Sequence, residues 1–459
     1  MPKTEPLHIN SAPVRAENHW TASLGSLDRT PPTGARVPQS VEVDILIVGA
    51  GYSGLSCAIH FLENAPDLRI ALVEKDSAGF GASGRNAGMV EPGLLGMTWT
   101  LPGAVESETD ARWAFNAARN RLERLLTEMA ARDIDSDLVA CANVISARTS
   151  LARAVAQTLG ERLSGFGLET TWVGSQEAEA RFGTRGEGAL VYRGYSVHPG
   201  KLAHALREMA LKMGASLFEG DAVVELTESG EKVVARTESG GRVTAAGCLV
   251  ASGAWAGELG IMTRTAPEIV HTWMFATEQL PPDLLAKAGS DQAALVAELT
   301  TSKEVSYRRI HDGRILFGSY DEPGHAVDAG VDQHMLDRLH SAALDAMPYL
   351  KGVRIERVWG GPIFGMAHDL PFIEVVPGLP NTAIVAPNGS SGVPWALLAG
   401  GMVSGILLDG PTGDAEGERL RNILNETRMP WATVGGMLVR AIWNAYGLGG
   451  GHRAERKAG

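Results

Sequence analysis

Val43-Asp44-Ile45-Leu46-Ile47-Val48-Gly49-Ala50-Gly51-Tyr52-Ser53-Gly54 decides how this chain is read. An apolar run of strand character enters Gly-x-Gly-x-x-Gly. Leu55, Cys57, Ala58, Ile59, Phe61 and Leu62 then follow as an apolar helix pattern. A second strand, Arg69-Ile70-Ala71-Leu72-Val73, ends in Glu74. Strand, glycine turn, helix, strand and acid form the dinucleotide-binding βαβ fingerprint, whose acid stands about 20 residues beyond the glycines. Gly49 permits the tight turn, Gly51 lets backbone approach a pyrophosphate, and Gly54 lets helix and strand pack closely. Tyr52 and Ser53 open the helix, whose N–H groups and dipole favour an anion. Glu74 can accept hydrogen bonds from an adenosine ribose, so the pattern suits NAD or FAD better than NADP. The alternative is a glycine-rich turn in an unrelated α/β protein, and the flanking strand, helix and acid argue against it.

The next segment chooses the dinucleotide. Gly79-Phe80-Gly81-Ala82-Ser83-Gly84-Arg85-Asn86-Ala87-Gly88 can wrap a second phosphate and the face of a flavin ring. Gly81 to Gly88, directly after the βαβ unit, resembles the D-amino-acid oxidase superfamily of FAD-dependent oxidoreductases. Within it the chain looks closest to the γ-glutamylputrescine oxidase-like amine oxidases. Further motifs follow in the family's order: Val197-His198-Pro199-Gly200-Lys201-Leu202, Gly214 to Glu219, Val250-Ala251-Ser252-Gly253-Ala254-Trp255, Arg308 to Gly318, Trp359-Gly360-Gly361-Pro362 and Leu370-Pro371-Phe372-Ile373. Together they span roughly residues 40 to 408.

The resemblance implies an α/β fold in which a Rossmann-like FAD-binding domain is interleaved with a β-rich substrate domain. Residues 41–95, 185–256 and 350–410 would build the first, and 96–184 and 257–349 the second. It places Gly49, Gly51, Tyr52, Ser53, Gly54, Glu74, Lys75, Gly81, Ala82, Ser83, Arg85, Asn86, Ala87 and Gly88 at the cofactor. Val223 would lie against the adenine, and Ser252, Gly253 and Trp255 beside the adenosine half. Gly361 and the loop Asn388-Gly389-Ser390-Ser391-Gly392-Val393 would meet the flavin. That loop leads into an apolar helix, Pro394 to Leu408, and so aims N–H groups at developing negative charge. Relatives carry an aromatic residue and a histidine in this loop, where the chain has Gly389 and Ser391. The departure bears on substrate choice.

The implied reaction is oxidation of an amine or amino acid. A hydride leaves the carbon next to nitrogen for flavin N5, the imine hydrolyses, and oxygen is reduced to hydrogen peroxide. Alternatives are a same-fold dehydrogenase using a quinone or protein acceptor, a biosynthetic flavoenzyme, or a flavin-binding partner subunit without catalysis. Arg308, Tyr307, Trp359 and Ser391 are the candidates for orienting substrate. An arginine there can grip a carboxylate through two parallel hydrogen bonds. Arg308 and Arg309 adjoin, so only one of them can face the site. His198 reads as a structural histidine. Lys303 is the nearest candidate for an oxygen-activating lysine. Some relatives attach flavin through a cysteine in the last third of the chain, but here the last cysteine is Cys248, so dissociable FAD is expected.

Composition bounds the rest. The 459 residues are 44% hydrophobic and 20% charged, as expected of a globular protein with two or three domains. A net charge of −12 supplies no basic patch for nucleic acid. The three cysteines, Cys57, Cys141 and Cys248, suggest neither a disulfide framework nor a metal site, and fit a cytoplasmic protein. No signal peptide or membrane-spanning run is read, and the oligomeric state is left open. The resemblance implies that residues 1–40 form an arm, with His19-Trp20 lying on the body. Periodicity predicts helices over 110–132 and 200–213, strands through 216–250, and a hairpin at His311-Asp312-Gly313. Residues 411–459 read as a helical extension packed on the body or on a partner.

Overall fold

The computed structural model describes residues 18–25, 36–92, 107–132, 134–261, 268–291, 294–299, 304–323, 333–365, 371–386, 392–408 and 414–426. Two sheets organise the chain. The first has eight strands, centred on Val41–Val48. That strand pairs in parallel with Arg242–Val250 on one side and Ile70–Glu74 on the other, and Ser216–Glu219 extends the parallel run. Ile45 to Val48 are all buried, as a parallel strand covered on both faces requires. Leu379–Ala386 joins in parallel beyond Arg242–Val250, and Phe372–Val376 closes that edge antiparallel. Val223–Ser229 and Lys232–Thr237, within the strands expected through 216–250, pair as a β hairpin alongside.

Helices cover this sheet. Tyr52–Asn64 buries Leu55, Cys57, Ala58, Phe61 and Leu62, the apolar positions that its sequence periodicity marks. Against it lies Gly392–Leu407, apolar on every side and buried through most of its length. Their close approach needs Gly400, where a Cβ would stand 2.5 Å from His60 Cβ. Pro394 falls in the first turn of that helix, as read. The helix expected over 110–132 runs from Glu108 to Ala131, with Ser107 Oγ accepting the Asp110 N–H. Ala415–Glu426, inside the helical extension expected from residue 411, packs across both, held by Arg121 on Asp414 and by Arg421 on the Met402 carbonyl. The remainder of the C-terminal extension lies outside the described residues.

The second sheet has nine strands. Its order is Ile355–Gly365, Glu268–Thr277, Ile315–Pro323, Glu304–Arg309, Leu295–Leu299, Val139–Ala147, Gly188–Ser196 and Met89–Val90, with Thr170–Gly174 pairing beside Gly188–Ser196. Its two faces have different tasks. Trp273, Phe275, Tyr307 and Phe317 form one core with the helix Gln333–Ala346. Met274, Ala276, Leu316 and Trp359 point the other way, toward Trp20 and Ala87. The hairpin at His311-Asp312-Gly313 forms as expected, closed by the Gly313 N–H on the Ile310 carbonyl at 3.0 Å.

The interleaving is as anticipated, but its edges move. Gly188–Ser196 pairs along its whole length with Val139–Ala147, and Ile355–Gly365 pairs with Glu268–Thr277. Both belong to the second sheet, so the crossings expected near 185 and 350 fall instead near 197 and 371. No helix among the described residues is long and apolar enough to cross a membrane.

One buried acid marks the core of the second sheet. Glu298 is 1% exposed, stands 3.5 Å from Arg148 Nε, and its Oε2 has no hydrogen-bond partner among the described residues. Burial pushes its carboxyl up to about 7, from 4.5 for the free side chain. The folded protein therefore holds a proton in that window which the unfolded chain has released. Stability from this group is full below about 4.5 and is lost as pH rises through about 7. The neutral isostere Glu298→Gln removes this titration. Its melting temperature should fall less between pH 5 and pH 8 than that of the wild type in parallel thermal scans.

Candidate functional site: a dinucleotide cradle against a sheet face

The turn after Val41–Val48 is built from close backbone approaches. Gly49 has a φ of +102°, and a Cβ there would meet the Ala251 carbonyl at 2.7 Å. A Cβ on Gly54 would fall 2.0 Å from the Gly49 carbonyl oxygen, closer than any side chain tolerates. Gly51 precedes the helix and offers no side-chain cap. Its open side faces Ser83, whose Oγ would lie 3.0 Å from a Cβ. Ser83 Oγ accepts the Tyr52 N–H at 2.9 Å, while the Tyr52 hydroxyl donates to the Pro199 carbonyl at 2.8 Å. Ser53 is buried in the same first turn.

Glu74 reaches back over this turn. It accepts the Ala50 N–H at 2.8 Å and the Asp76 N–H at 3.0 Å, and burial raises its carboxyl. The Glu74 carbonyl takes the Asp221 N–H, which brings the strand beginning at Val223 alongside. Lys75 turns outward and pairs with Glu258 at 3.2 Å. Glu219, paired in register with Glu74, is buried against Arg207 at 2.9 Å and accepts the Ala78 N–H at 2.8 Å. That acid steadies the start of the second loop. It is hard to find in the sequence, because nothing there shows that it will lie beside Glu74.

Residues 252–255 close the same end. Ser252 Cα lies 3.0 Å from where a Gly49 Cβ would stand, and Ser252 Oγ is buried with no partner among the described residues. Gly253 takes a positive φ of 55°, and the Trp255 ring passes 3.3 Å from a Cβ placed on Gly81.

The second loop is a knot of internal bonds. Ala82–Gly84 forms a single tight turn. Asn86 Nδ2 donates to the Ser83 carbonyl at 2.8 Å, and Asn86 Oδ1 accepts the Gly88 N–H at 2.8 Å. Arg85 donates from Nε to the Phe80 carbonyl at 2.8 Å, and its guanidinium lies 4.6 Å above the Phe80 ring. Burial draws Arg85 down to about 10. Two indoles then fasten the loop from outside. Trp359 Nε1 donates to the Arg85 carbonyl and Trp20 Nε1 to the Asn86 carbonyl, each at 2.8 Å. Ala87 packs between them and Met274 and Leu316, and Gly361 lies behind Arg85.

The substrate-facing candidates are distributed differently from expectation. Tyr307 and Arg308 cannot share a face of one strand. Tyr307 turns into the far core and stacks on Phe317 at 6.3 Å. Arg308 faces the loop, but it donates to the Gly88 carbonyl at 3.3 Å and the Val197 carbonyl at 3.1 Å. Its guanidinium is a brace across two chain segments and lies 5.2 Å from the Trp20 ring. Trp359 is likewise a fastening beneath the loop. His198 is the structural residue that the sequence suggests: Nδ1 accepts the Lys201 N–H, Nε2 meets Ser23 Oγ at 2.9 Å, and burial lowers it to about 4. Gly392 and Val393 begin their helix. Asn388, Gly389, Ser390, Ser391 and Lys303 lie outside the described residues.

These residues suit a dinucleotide. The helix N-terminus has no cap from its own Gly51, which carries no side chain, an acid ends the second strand, and the Ser252 hydroxyl has no partner among the described residues. Among the described residues no cluster of His, Cys, Asp and Glu could hold a metal ion.

Fold and cradle define a dinucleotide-dependent oxidoreductase. Residues 44–405 match the family of FAD dependent oxidoreductases, and the chain belongs to it. The chain is 27% identical over 358 residues to a probable oxidoreductase, OrdL, of Rhizobium meliloti (strain 1021), covering 75% of this chain and 78% of that protein. It is 26% identical over 424 residues to the gamma-glutamylputrescine oxidoreductase of Escherichia coli (strain K12), covering 89% and 92%. The fold resembles that of glycine oxidase from Geobacillus kaustophilus, with a TM-score of 0.66 at 23% identity over 80% of this chain and 94% of that one. The superfamily resemblance drawn from Gly81 to Gly88 is thereby borne out.

Two variants probe the cradle. Gly54→Ala drives a methyl into the Gly49 carbonyl, so the protein should purify colourless, without the flavin absorption that the wild type carries. Trp20→Phe keeps an aromatic side chain but trims the buried indole and deletes the bond to the Asn86 carbonyl. Loss of one such bond is worth about 1 kcal/mol. The FAD dissociation constant, read by flavin fluorescence quenching, should rise several-fold.

Proposed function

We propose that this protein oxidises the C–N bond of a small amine or amino acid, using FAD held without a covalent link. The observation that carries this reading is the sheet face opposite the flavin loop. Met274 and Leu316 make an apolar wall there, with Ala87 of the loop packed against it, and Arg308 is fixed behind it by backbone carbonyls. Such a wall strips water from a bound amine and so favours its neutral form, whose lone pair assists loss of hydride from the adjacent carbon. Bound FAD supplies acceptance of that hydride and transfer of two electrons onward. Gly49, Gly51, Ser53 and Gly54 would hold its pyrophosphate, Glu74 its ribose, and Ser83, Arg85, Asn86 and Gly88 its isoalloxazine side. The helix Gly392–Leu407 would turn its N-terminus to the ring. The relationship to a gamma-glutamylputrescine oxidoreductase and the shared fold with glycine oxidase support the amine class.

The three cysteines support dissociable FAD. All are buried free thiols, with burial pushing Cys141 up to about 12 and the other two upward as well. None is available as a thiolate to attack a flavin carbon. Unpaired buried thiols also suit a reducing cytoplasm.

The test is an anaerobic titration of the yellow protein with alkylamines, polyamines, N-methylated amino acids, D- and L-amino acids and 2-hydroxy acids. Bleaching by an amine class, reversed by air with formation of hydrogen peroxide, is the expected result. Bleaching that air leaves in place, and a quinone reverses, would make the protein a dehydrogenase. A flavin that only 2-hydroxy acids reduce, or that nothing reduces, sinks the amine reading. Acid precipitation should leave all the flavin in the supernatant; yellow colour in the pellet would contradict dissociable FAD.

A further inference from the structure

Asn143 stands at an unusual place. It lies in the middle of Val139–Ala147, in direct register with Tyr192 on one side and Leu295 on the other, and Leu295 is in register with Arg308. Residues in register across a sheet share a face. Asn143 therefore belongs to the face carrying Arg308, the one turned toward the flavin loop. It is 1% exposed, and neither Nδ2 nor Oδ1 has a hydrogen-bond partner among the described residues. Leaving both ends of a buried amide unpaired costs about 1–3 kcal/mol for each group, so a native structure provides such an amide with a partner.

The surroundings are shaped around the amide. Gly194 stands diagonally across from Asn143, and a Cβ there would lie 2.3 Å from Nδ2. A glycine in mid-strand weakens a sheet, and its usual reason is close approach of another group. Here the group admitted is the Asn143 amide. The chain leaving the flavin loop runs past the same spot, where Met89–Val90 pairs with Tyr195 and Ser196 and Glu91 meets the Tyr192 hydroxyl at 3.3 Å. Arg308, the expected carboxylate clamp, already donates to two backbone carbonyls.

We propose that Asn143 is a substrate-positioning residue that recognises the polar end of the substrate. Its Nδ2 donates to a carboxylate or carbonyl oxygen and its Oδ1 accepts from the amine N–H. This rests on the amine reading above and sharpens it. An amide that both donates and accepts selects molecules carrying nitrogen and a carbonyl oxygen on neighbouring carbons. The substrate class is then amino acids or their amides rather than simple alkylamines.

The experiment compares holoenzyme, Asn143→Leu and Asn143→Asp by anaerobic stopped-flow reduction of the flavin. The probes are an amino acid, its amide and the alkylamine that lacks the carbonyl. The wild type should bind the first two more tightly than the alkylamine. In Asn143→Leu, FAD content and melting temperature should hold while apparent affinity for the carbonyl-bearing probes falls by about 5- to 100-fold, the range for a buried polar group left unpaired. Affinity for the alkylamine should change least, so the preference collapses. Asn143→Asp should discriminate against the carboxylate more than against the amide, a charge effect that a structural role would not produce. A preference unchanged in both variants overturns the inference while leaving the amine reading intact. Reduction by 2-hydroxy acids alone overturns the amine reading; the matched hydroxy acid, hydroxy amide and alcohol then judge Asn143 by the same collapse of preference. Wild-type flavin that no probe reduces overturns both.

Discussion

A contact that no side chain could survive underlies the architecture. Gly54 stands where a Cβ would fall 2.0 Å from the Gly49 carbonyl oxygen. Because both residues are glycine, the helix Tyr52–Asn64 begins immediately behind the central strand, and its first N–H reaches across the turn to Ser83 Oγ. Everything around the cradle is referred to that position. Glu74 reaches the Ala50 N–H because the second strand is in parallel register with the first. Gly79 donates to the Ala50 carbonyl at 3.0 Å, which hangs the flavin loop from the same turn.

The loop then fastens the two sheets to each other. Its carbonyls at Arg85, Asn86 and Gly88 are taken by Trp359, Trp20 and Arg308, which come from a strand, the N-terminal arm and another strand. Each donor is buried, so these bonds are made away from competing water and hold the loop to the second sheet firmly. Residues that look by type like catalytic candidates serve here to hold backbone. An arginine and a tryptophan beside a cofactor loop can act as braces, and their fixed donors decide which.

The division of labour between the two faces of the second sheet follows from the pleat. Along Glu304–Arg309, Val305 and Tyr307 go to the hydrophobic core with Gln333–Ala346, while Ser306 and Arg308 go to the loop side. One face is committed to stability and the other is left for chemistry. Three polar groups on the second face have distinct surroundings: Arg308 is braced, Ser306 lies at the crevice, and neither end of the Asn143 amide has a hydrogen-bond partner among the described residues.

The sequence alone determined the cradle and the family. Gly49 to Gly54, Glu74 and the run from Gly81 to Gly88 act through local backbone geometry, and local geometry is written in residue order. The hairpin at 311–313 and the helices near 110–132 and 200–213 were legible for the same reason, since turn chemistry and apolar period are short-range. The tertiary structure alone decided the rest. That Tyr307 leaves the site, that Arg308 is occupied by Gly88 and Val197, and that Glu219 comes beside Glu74 depend on strands distant in sequence meeting in one register. The strands at 188–196 and 355–365 likewise join the second sheet because of where their partners lie. Asn143 is an ordinary strand residue until Gly194, Tyr192 and Leu295 are placed around it. A side chain's hydrogen-bond partners are set by long-range pairing, and a single sequence carries no direct record of that pairing.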